Sequence, residues 1–216
     1  MTIIAPSLLS AAPGRLTEEI QAIEAAGADW LHLDIMDGHF TPNLTFGPWI
    51  VELAKKETKL PLDVHLMVTD PLAQAKIFAQ AGADFISVHV EATPHLHLVL
   101  DTIQRAGARP GVALNPLTPL DFLEPSLDFL DLIVIMGVNP GWAGQAFIPR
   151  TVKRVAQVSH LLATQKKDRS IFLEVDGGVS DQTAPALIQA GASVLVSGSY
   201  VFKSRDYGQA IAGLRQ

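Results

Sequence analysis

The sequence predicts an α/β protein of one domain, residues 1–216, folded as a single (β/α)₈ barrel of the TIM type. Three observations predict it. Eight short apolar stretches alternate with helical patterns along 216 residues, a length near the lower end for such a barrel. The tripeptide Ala-Gly-Ala recurs at 26–28, 81–83, 106–108 and 190–192, each time closing a helical pattern and opening an apolar strand. The first strand-to-helix turn lacks the Gly-x-Gly-x-x-Gly fingerprint that would favour the runner-up, an open doubly wound sheet.

The elements follow in order. Strands are expected at 3–7, 30–34, 62–67, 85–89, 109–113, 132–136, 171–175 and 194–196, each a short apolar run bounded by turn residues. The first helix is expected at 17–26, with Ile20 and Ile23 on one face. Helices at 48–56, 71–81 and 96–106 follow, then a shorter one at 119–123, then 149–164, 183–190 and 208–214. Pro71 and Pro149 suit first-turn positions, where a missing N–H costs nothing. The glycine of each Ala-Gly-Ala suits a left-handed helix C-cap. No linker, second domain or low-complexity segment interrupts the alternation.

Composition narrows the function. Hydrophobic residues make up 48% of the chain and charged residues 18%, with a net charge of -6. A globular fold is implied, and no polybasic run offers a nucleic-acid footprint. No apolar run approaches the roughly 20 residues of a membrane span. The chain has no cysteine, which excludes disulfides, thiolate metal sites and a cysteine nucleophile and fits a reducing, cytoplasmic setting. The first strand begins almost at Met1, leaving no room for a signal or transit peptide.

The chemistry is concentrated at strand ends. His32 and Asp34 lie two apart in Trp30-Leu31-His32-Leu33-Asp34-Ile35, so a strand points both to one face. His65 ends the third strand and Asp176 the seventh. One histidine on an apolar strand would read as a hydrogen-bonded core residue, and one aspartate as a helix N-cap. Four such residues at the C-terminal ends of strands point to a shared site for one divalent cation. Nitrogen and oxygen donors suit Zn²⁺ first, with Fe²⁺, Mn²⁺ or Co²⁺ as alternatives. Gly141-Trp142-Ala143-Gly144 follows strand six, Gly177-Gly178 strand seven and Gly198-Ser199 strand eight. Late barrel loops of this kind cradle phosphate with backbone N–H groups. The expected partner is therefore a small phosphorylated metabolite. Asp34 and Asp176, well apart around the barrel, could flank a substrate and exchange protons at its two faces. Met36, Met67 and Met136 fall at or just past strand ends, where soft, water-excluding sulfurs could pack against a planar enediolate. Ser7 ends strand one and could bond a substrate hydroxyl.

These residues carry a resemblance. Ala5-Pro6-Ser7, Leu31-His32-Leu33-Asp34-Ile35-Met36-Asp37-Gly38, Pro42-Asn43, His65-Leu66-Met67-Val68, His89-Val90-Glu91, Leu114-Asn115-Pro116, Val138-Asn139-Pro140-Gly141, Asp176-Gly177-Gly178-Val179 and Gly198-Ser199 together resemble the ribulose-phosphate 3-epimerase family over essentially the whole chain. The resemblance implies a barrel of the ribulose-phosphate-binding type. It implies interconversion of D-ribulose 5-phosphate and D-xylulose 5-phosphate by two-base proton transfer at C3. It implies metal ligation by His32, Asp34, His65 and Asp176, with Asp34 as proton acceptor and Asp176 as donor. Substrate contacts carry over to Ser7, His65, the 141–144 loop, Gly177, Gly178, Gly198 and Ser199. A homo-oligomer is expected. His89 is expected behind the site, while His39, His95, His97 and His160 need no role.

The chain also departs from the family pattern. The loop usually reads Gly-Phe-Gly-Gly-Gln; here Trp142 and Ala143 intervene. If position 143 needs a positive φ, alanine is strained there by roughly 1 kcal/mol. Gly137 stands where Ser or Thr is usual, Thr41 where an aliphatic residue is usual, and Tyr200 where a small residue is common. Rival readings are a 3-epimerase of a six-carbon ketose phosphate such as D-allulose 6-phosphate, a metal-dependent hydrolase and a non-catalytic sugar-phosphate binding barrel.

Overall fold

The computed structural model describes residues 2–164 and 170–216. Eight parallel strands form one sheet: β1 Ile3–Pro6, β2 Leu31–Met36, β3 Leu62–Met67, β4 Phe85–His89, β5 Arg109–Leu114, β6 Leu132–Met136, β7 Phe172–Asp176 and β8 Val194–Ser197. Their order is β1-β8-β7-β6-β5-β4-β3-β2. The two ends of that order meet. Ser7 bridges His32 in parallel register, and the Trp30 N–H donates to the Ile4 carbonyl at 3.3 Å. The sheet is thus a barrel, wrapped by α1 Leu16–Ala25, α2 Trp49–Glu57, α3 Pro71–Ala81, α4 Leu96–Arg105, α5 Arg150–Thr164, α6 Ala184–Gln189, α7 Ser199–Phe202 and α8 Tyr207–Gly213.

The Ala-Gly-Ala repeat is a Schellman cap used four times. Gly27, Gly82, Gly107 and Gly191 all have φ between 87° and 113°. The alanine after each glycine donates back to the helix: Ala28 to Ile23, Ala83 to Phe78, Ala108 to Ile103 and Ala192 to Leu187, at 3.0–3.3 Å. Each cap turns the chain straight into the next strand. The fifth unit departs from expectation. In place of a helix at 119–123 it has two 3₁₀ segments, Leu120–Phe122 and Glu124–Phe129. Pro116, Pro119 and Pro125 remove the N–H groups and fix the angles that a regular helix would need. The short α7 was also unforeseen, since the sequence there reads as a turn.

Strand alternation sorts the core into two layers. Leu31, Leu33, Leu66, Ile86, Val88, Ile133 and Ile135 face the helices in the outer core. Ala5, Trp30, Phe85, Ala113, Leu132, Val134 and Val196 face inward. At the N-terminal end of the barrel, Trp30 stacks on Phe85 at 4.4 Å and meets Phe172 edge-on at 5.0 Å. The Arg109 guanidinium lies 4.4 Å from the Phe85 ring centre, a cation–π contact. This aromatic plug seals one end, so polar side chains further along the same strands collect at the other. Among the described residues, no helix is long and apolar enough to cross a membrane.

Candidate active site

Register brings the strand-end residues together. β2 pairs β3 with His32 beside Asp63 and Asp34 beside His65. Asp34 Oδ1 lies 3.5 Å from His32 Nε2 and 3.7 Å from His65 Nδ1. Asp176 Oδ2, from β7, lies 4.0 Å and 3.4 Å from the same two nitrogens. One donor atom from each of the four residues falls within 4.8 Å of the others. His32 Nε2 and His65 Nδ1 are buried and have no hydrogen-bond partner. Buried polar atoms are rarely left unpaired, and two imidazole nitrogens facing two carboxylates fit a divalent cation in charge and donor type.

The electrostatics support that fit. Burial pulls the His32 pKa down, but the carboxylates of Asp63 and Asp34 outweigh it and hold the ring well above its ordinary value. Burial also lowers His65, and the facing carboxylates of Asp176 and Asp34 reverse the sign. Burial pushes Asp34 up, and the two histidines drive it below the usual carboxylate range. Both imidazoles thus face carboxylates that favour positive charge at this point, which a divalent cation would supply.

Ser7, Asp34, Met36, Met67, Met136, Gly141, Trp142, Ala143, Gly144, Asp176, Gly177, Gly178, Gly198 and Ser199 line one cavity of about 230 Å³. That is below the roughly 300–1,000 Å³ of drug-sized ligand sites and suits a small metabolite. His32 and His65 are fully buried and lie outside this lining. Ser7 Oγ donates to Asp34 Oδ2. Among the described residues, no lysine or arginine lines the cavity, so an anion there would meet backbone N–H groups and hydroxyls.

The glycines are required by close packing. A Cβ on Gly177 (φ +104°) would lie 2.4 Å from Val138 Cγ2, and one on Gly178 (φ +70°) 2.8 Å from the Phe147 backbone. A Cβ on Gly198 would lie 2.5 Å from Ser10 Oγ. Gly137 is equally constrained, since its Cβ would fall 2.1 Å from the Gly177 carbonyl. The strain expected at Ala143 is absent: among the described residues, only glycines have positive φ. The left-handed positions of that loop are Gly141 and Gly144, both glycine here. Gln145 Nε2 ties the loop together by donating to the carbonyls of Asn139 and Trp142 at 2.6 and 3.0 Å. Trp142 is half exposed at the rim. Thr41 is buried and donates to the Asn43 carbonyl, which gives its hydroxyl a partner.

Sequence reasoning missed four groups. Asp63 Oδ2 lies 2.5 Å from His32 Nδ1, and Glu174 Oε1 lies 3.6 Å from the same nitrogen, all fully buried. Burial and the Asp63 carboxylate push the Glu174 pKa well up. Both residues sit two before a named ligand, so the period-two argument used for His32 and Asp34 would have found them. Beyond the histidines, His65 Nε2 lies 2.9 Å from His89 Nε2, and His89 Nδ1 lies 3.2 Å from Glu91 Oε2. His89, expected behind the site, is there; burial pulls its pKa down to about 4. Ser10 Oγ lies 3.5 Å from Ser199 Oγ at the glycine side of the cavity. Its only sequence signal was proximity to Ser7.

Known proteins place this arrangement. Residues 3–202 match the family model described as the ribulose-phosphate 3 epimerase family. The ribulose-phosphate 3-epimerase of Synechocystis sp. is 49% identical over 215 residues, covering 99% of this chain and 93% of that protein. That of Bacillus subtilis is 47% identical, covering 100% and 99%. KGPDC from Streptococcus mutans superposes with a TM-score of 0.74 at 13% identity, covering 99% of this chain and 95% of that one. Orotidine 5'-phosphate decarboxylase from Pyrococcus horikoshii superposes at 0.65 and 15% identity, covering 98% and 97%. Those two likenesses bear on the barrel alone. Matched by that family model over residues 3–202 and by relatives at 47–49% identity, the chain belongs to the ribulose-phosphate 3-epimerase family.

Proposed function

We propose that this chain interconverts D-ribulose 5-phosphate and D-xylulose 5-phosphate by two-base proton transfer at C3. The observation that carries the proposal is the pairing of Asp34 and Asp176. They come from β2 and β7, which are not neighbours in the sheet, line one small cavity and share the same two buried histidines.

His32, Asp34, His65 and Asp176 would hold one divalent cation, with Zn²⁺ the best match to two imidazoles and two carboxylates. When bound, such an ion supplies a Lewis acid beside the substrate oxygens and so acidifies the neighbouring C3–H bond. The chain's own groups do the rest. Asp34 removes the proton from one face of C3, and Asp176 delivers one to the other. In the reverse reaction the roles exchange, and no water or redox partner is consumed. Ser7 orients the Asp34 carboxylate through its hydrogen bond. The thioethers of Met36, Met67 and Met136 line the cavity and keep water from the planar intermediate. The N–H groups of Gly177, Gly178, Gly198 and Ser199, with the 141–144 loop, hold the phosphate. Glycine lets those N–H groups approach an anion without a side chain in the way.

Extended chelation tests the metal. Activity should fall to background and return on adding Zn²⁺, Mn²⁺ or Co²⁺. Full turnover in a sample verified as metal-free would reject this part of the proposal.

A further inference from the structure

We infer that Glu91 and His89 form a positioning relay that fixes the tautomer of His65 and thereby sets the site's metal affinity. The inference rests on the metal reading above and names two residues which that reading does not use.

Donor and acceptor bookkeeping carries it. Glu91 Oε1 accepts from the Asn115 N–H at 2.8 Å and from the Thr118 hydroxyl. Glu91 Oε2 faces His89 Nδ1 at 3.2 Å. A carboxylate already accepting two hydrogen bonds is an acceptor, so the His89 proton sits on Nδ1. A neutral imidazole then has a lone pair on Nε2. His89 is fully buried, and its ring is stacked on His65 at 5.0 Å and against Phe40 at 4.7 Å. That setting favours the neutral ring. The two Nε2 atoms lie 2.9 Å apart, and such a pair needs one N–H and one lone pair. The proton between them therefore belongs to His65 Nε2. His65 Nδ1 is left with a free lone pair, aimed at Asp34 and Asp176 and without any other partner. That is the nitrogen a metal would need.

The relay is anchored far from the cavity. Arg154 on α5 donates to the carbonyls of Asn115 and Thr118 at 3.3 and 2.7 Å. This holds in place the loop whose N–H and hydroxyl fix Glu91. His32 gets the same service directly from Asp63, whose carboxylate meets His32 Nδ1 at 2.5 Å. The two ligand histidines are thus backed by different devices: a carboxylate in contact, and a carboxylate acting through a second imidazole. Partners of this kind behind a ligand typically tune metal affinity by about 10–100-fold.

The test is zinc affinity, measured by chelator competition on the whole protein, with ¹⁵N spectra of labelled histidine to read the His65 tautomer. His89→Leu removes the acceptor for His65 Nε2–H and should weaken zinc binding by about 10–100-fold. Its metal-free spectrum, taken at a pH where the His65 ring is neutral, should show the proton no longer confined to Nε2. His89→Gln keeps an acceptor oxygen and should recover most of the affinity. A merely structural role would lower the melting temperature of both variants while leaving affinity and tautomer unchanged. Should His89→Leu fail to fold, Glu91→Ala at the half-exposed end of the relay serves in its place, with roughly tenfold weaker zinc binding expected. Wild-type protein that binds no zinc would overturn the metal reading and the relay with it. Wild-type protein that binds zinc, beside a folded His89→Leu or Glu91→Ala of equal affinity, would overturn the relay alone.

Discussion

The two sides of the barrel mouth are built on different principles. On the β2, β3, β4 and β7 side, chemistry is carried by side chains: His32, Asp34, Asp63, His65, His89, Glu174 and Asp176, most of them fully buried. Strand register places them, and hydrogen bonds tie Asp34 to Ser7, His32 to Asp63 and His65 to His89. On the side of the loops after β6, β7 and β8, what matters is what is missing. Gly137, Gly177, Gly178 and Gly198 sit where a Cβ would come within 2.1–2.8 Å of another atom. The first side is paid for in buried charge and the second in backbone freedom. Under the proposed function, the difference separates reactivity from anchorage within one small pocket. A substitution on one side should leave a different kinetic trace from a substitution on the other.

The largest expected effect is on the side-chain face. Asp34→Asn and Asp176→Asn each remove a proposed proton carrier and metal ligand, and kcat for ribulose 5-phosphate should fall by about 10²–10⁴-fold or more. Stopped assays on each purified variant would measure it. Near-normal turnover in either would show that the acids are misassigned.

The next effect lies on the backbone face. Gly178→Ala forces alanine to φ +70° and within 2.8 Å of the Phe147 backbone. Strained positions of this kind cost roughly 1–3 kcal/mol. Stability should fall by that amount in denaturant titration, and KM should rise more than kcat falls, because the proposed function has the displaced N–H groups hold the phosphate. A pure kcat defect with unchanged KM would dissolve the distinction between the two sides.

The smallest effect belongs to Ala143→Gly. A family-based reading of the loop expects this change to relieve strain. Ala143 has no positive φ to relieve, so added glycine freedom can only loosen the loop, at a cost of roughly 0.4–1 kcal/mol. KM should stay the same or rise about twofold to fivefold. A clear drop in KM would restore the strain argument.

Much of this was legible in the residues. The eightfold alternation and the four Ala-Gly-Ala caps are local signals, because a Schellman cap is set by its own few residues. His32, Asp34, His65 and Asp176 were legible because polar residues at period two on apolar strands are conspicuous. Asp63 and Glu174 obey the same period and were passed over. Sequence says which face a residue takes but not how deep in the barrel it lies. The His65–His89–Glu91 contact joins β3, β4 and the segment after it, and only register reveals it. The fifth unit was misread because proline density, and not an apolar pattern, decides it. The strain expected at Ala143 was conditional on a positive φ, and residue type in relatives does not give a backbone angle. Gly141 and Gly144 take the left-handed turns and leave Ala143 an ordinary conformation.

The central claim is that Asp34 and Asp176 exchange a proton with C3 in a site that needs its metal. Proton exchange at C3 of ribulose 5-phosphate in deuterated water tests it most directly, followed by NMR with and without prior chelation. The account predicts deuterium at C3 of both ketose phosphates in untreated protein, and none above background after chelation. It predicts return of the label when Zn²⁺ is restored. Epimerisation without deuterium at C3, or undiminished exchange in verified metal-free protein, would contradict it.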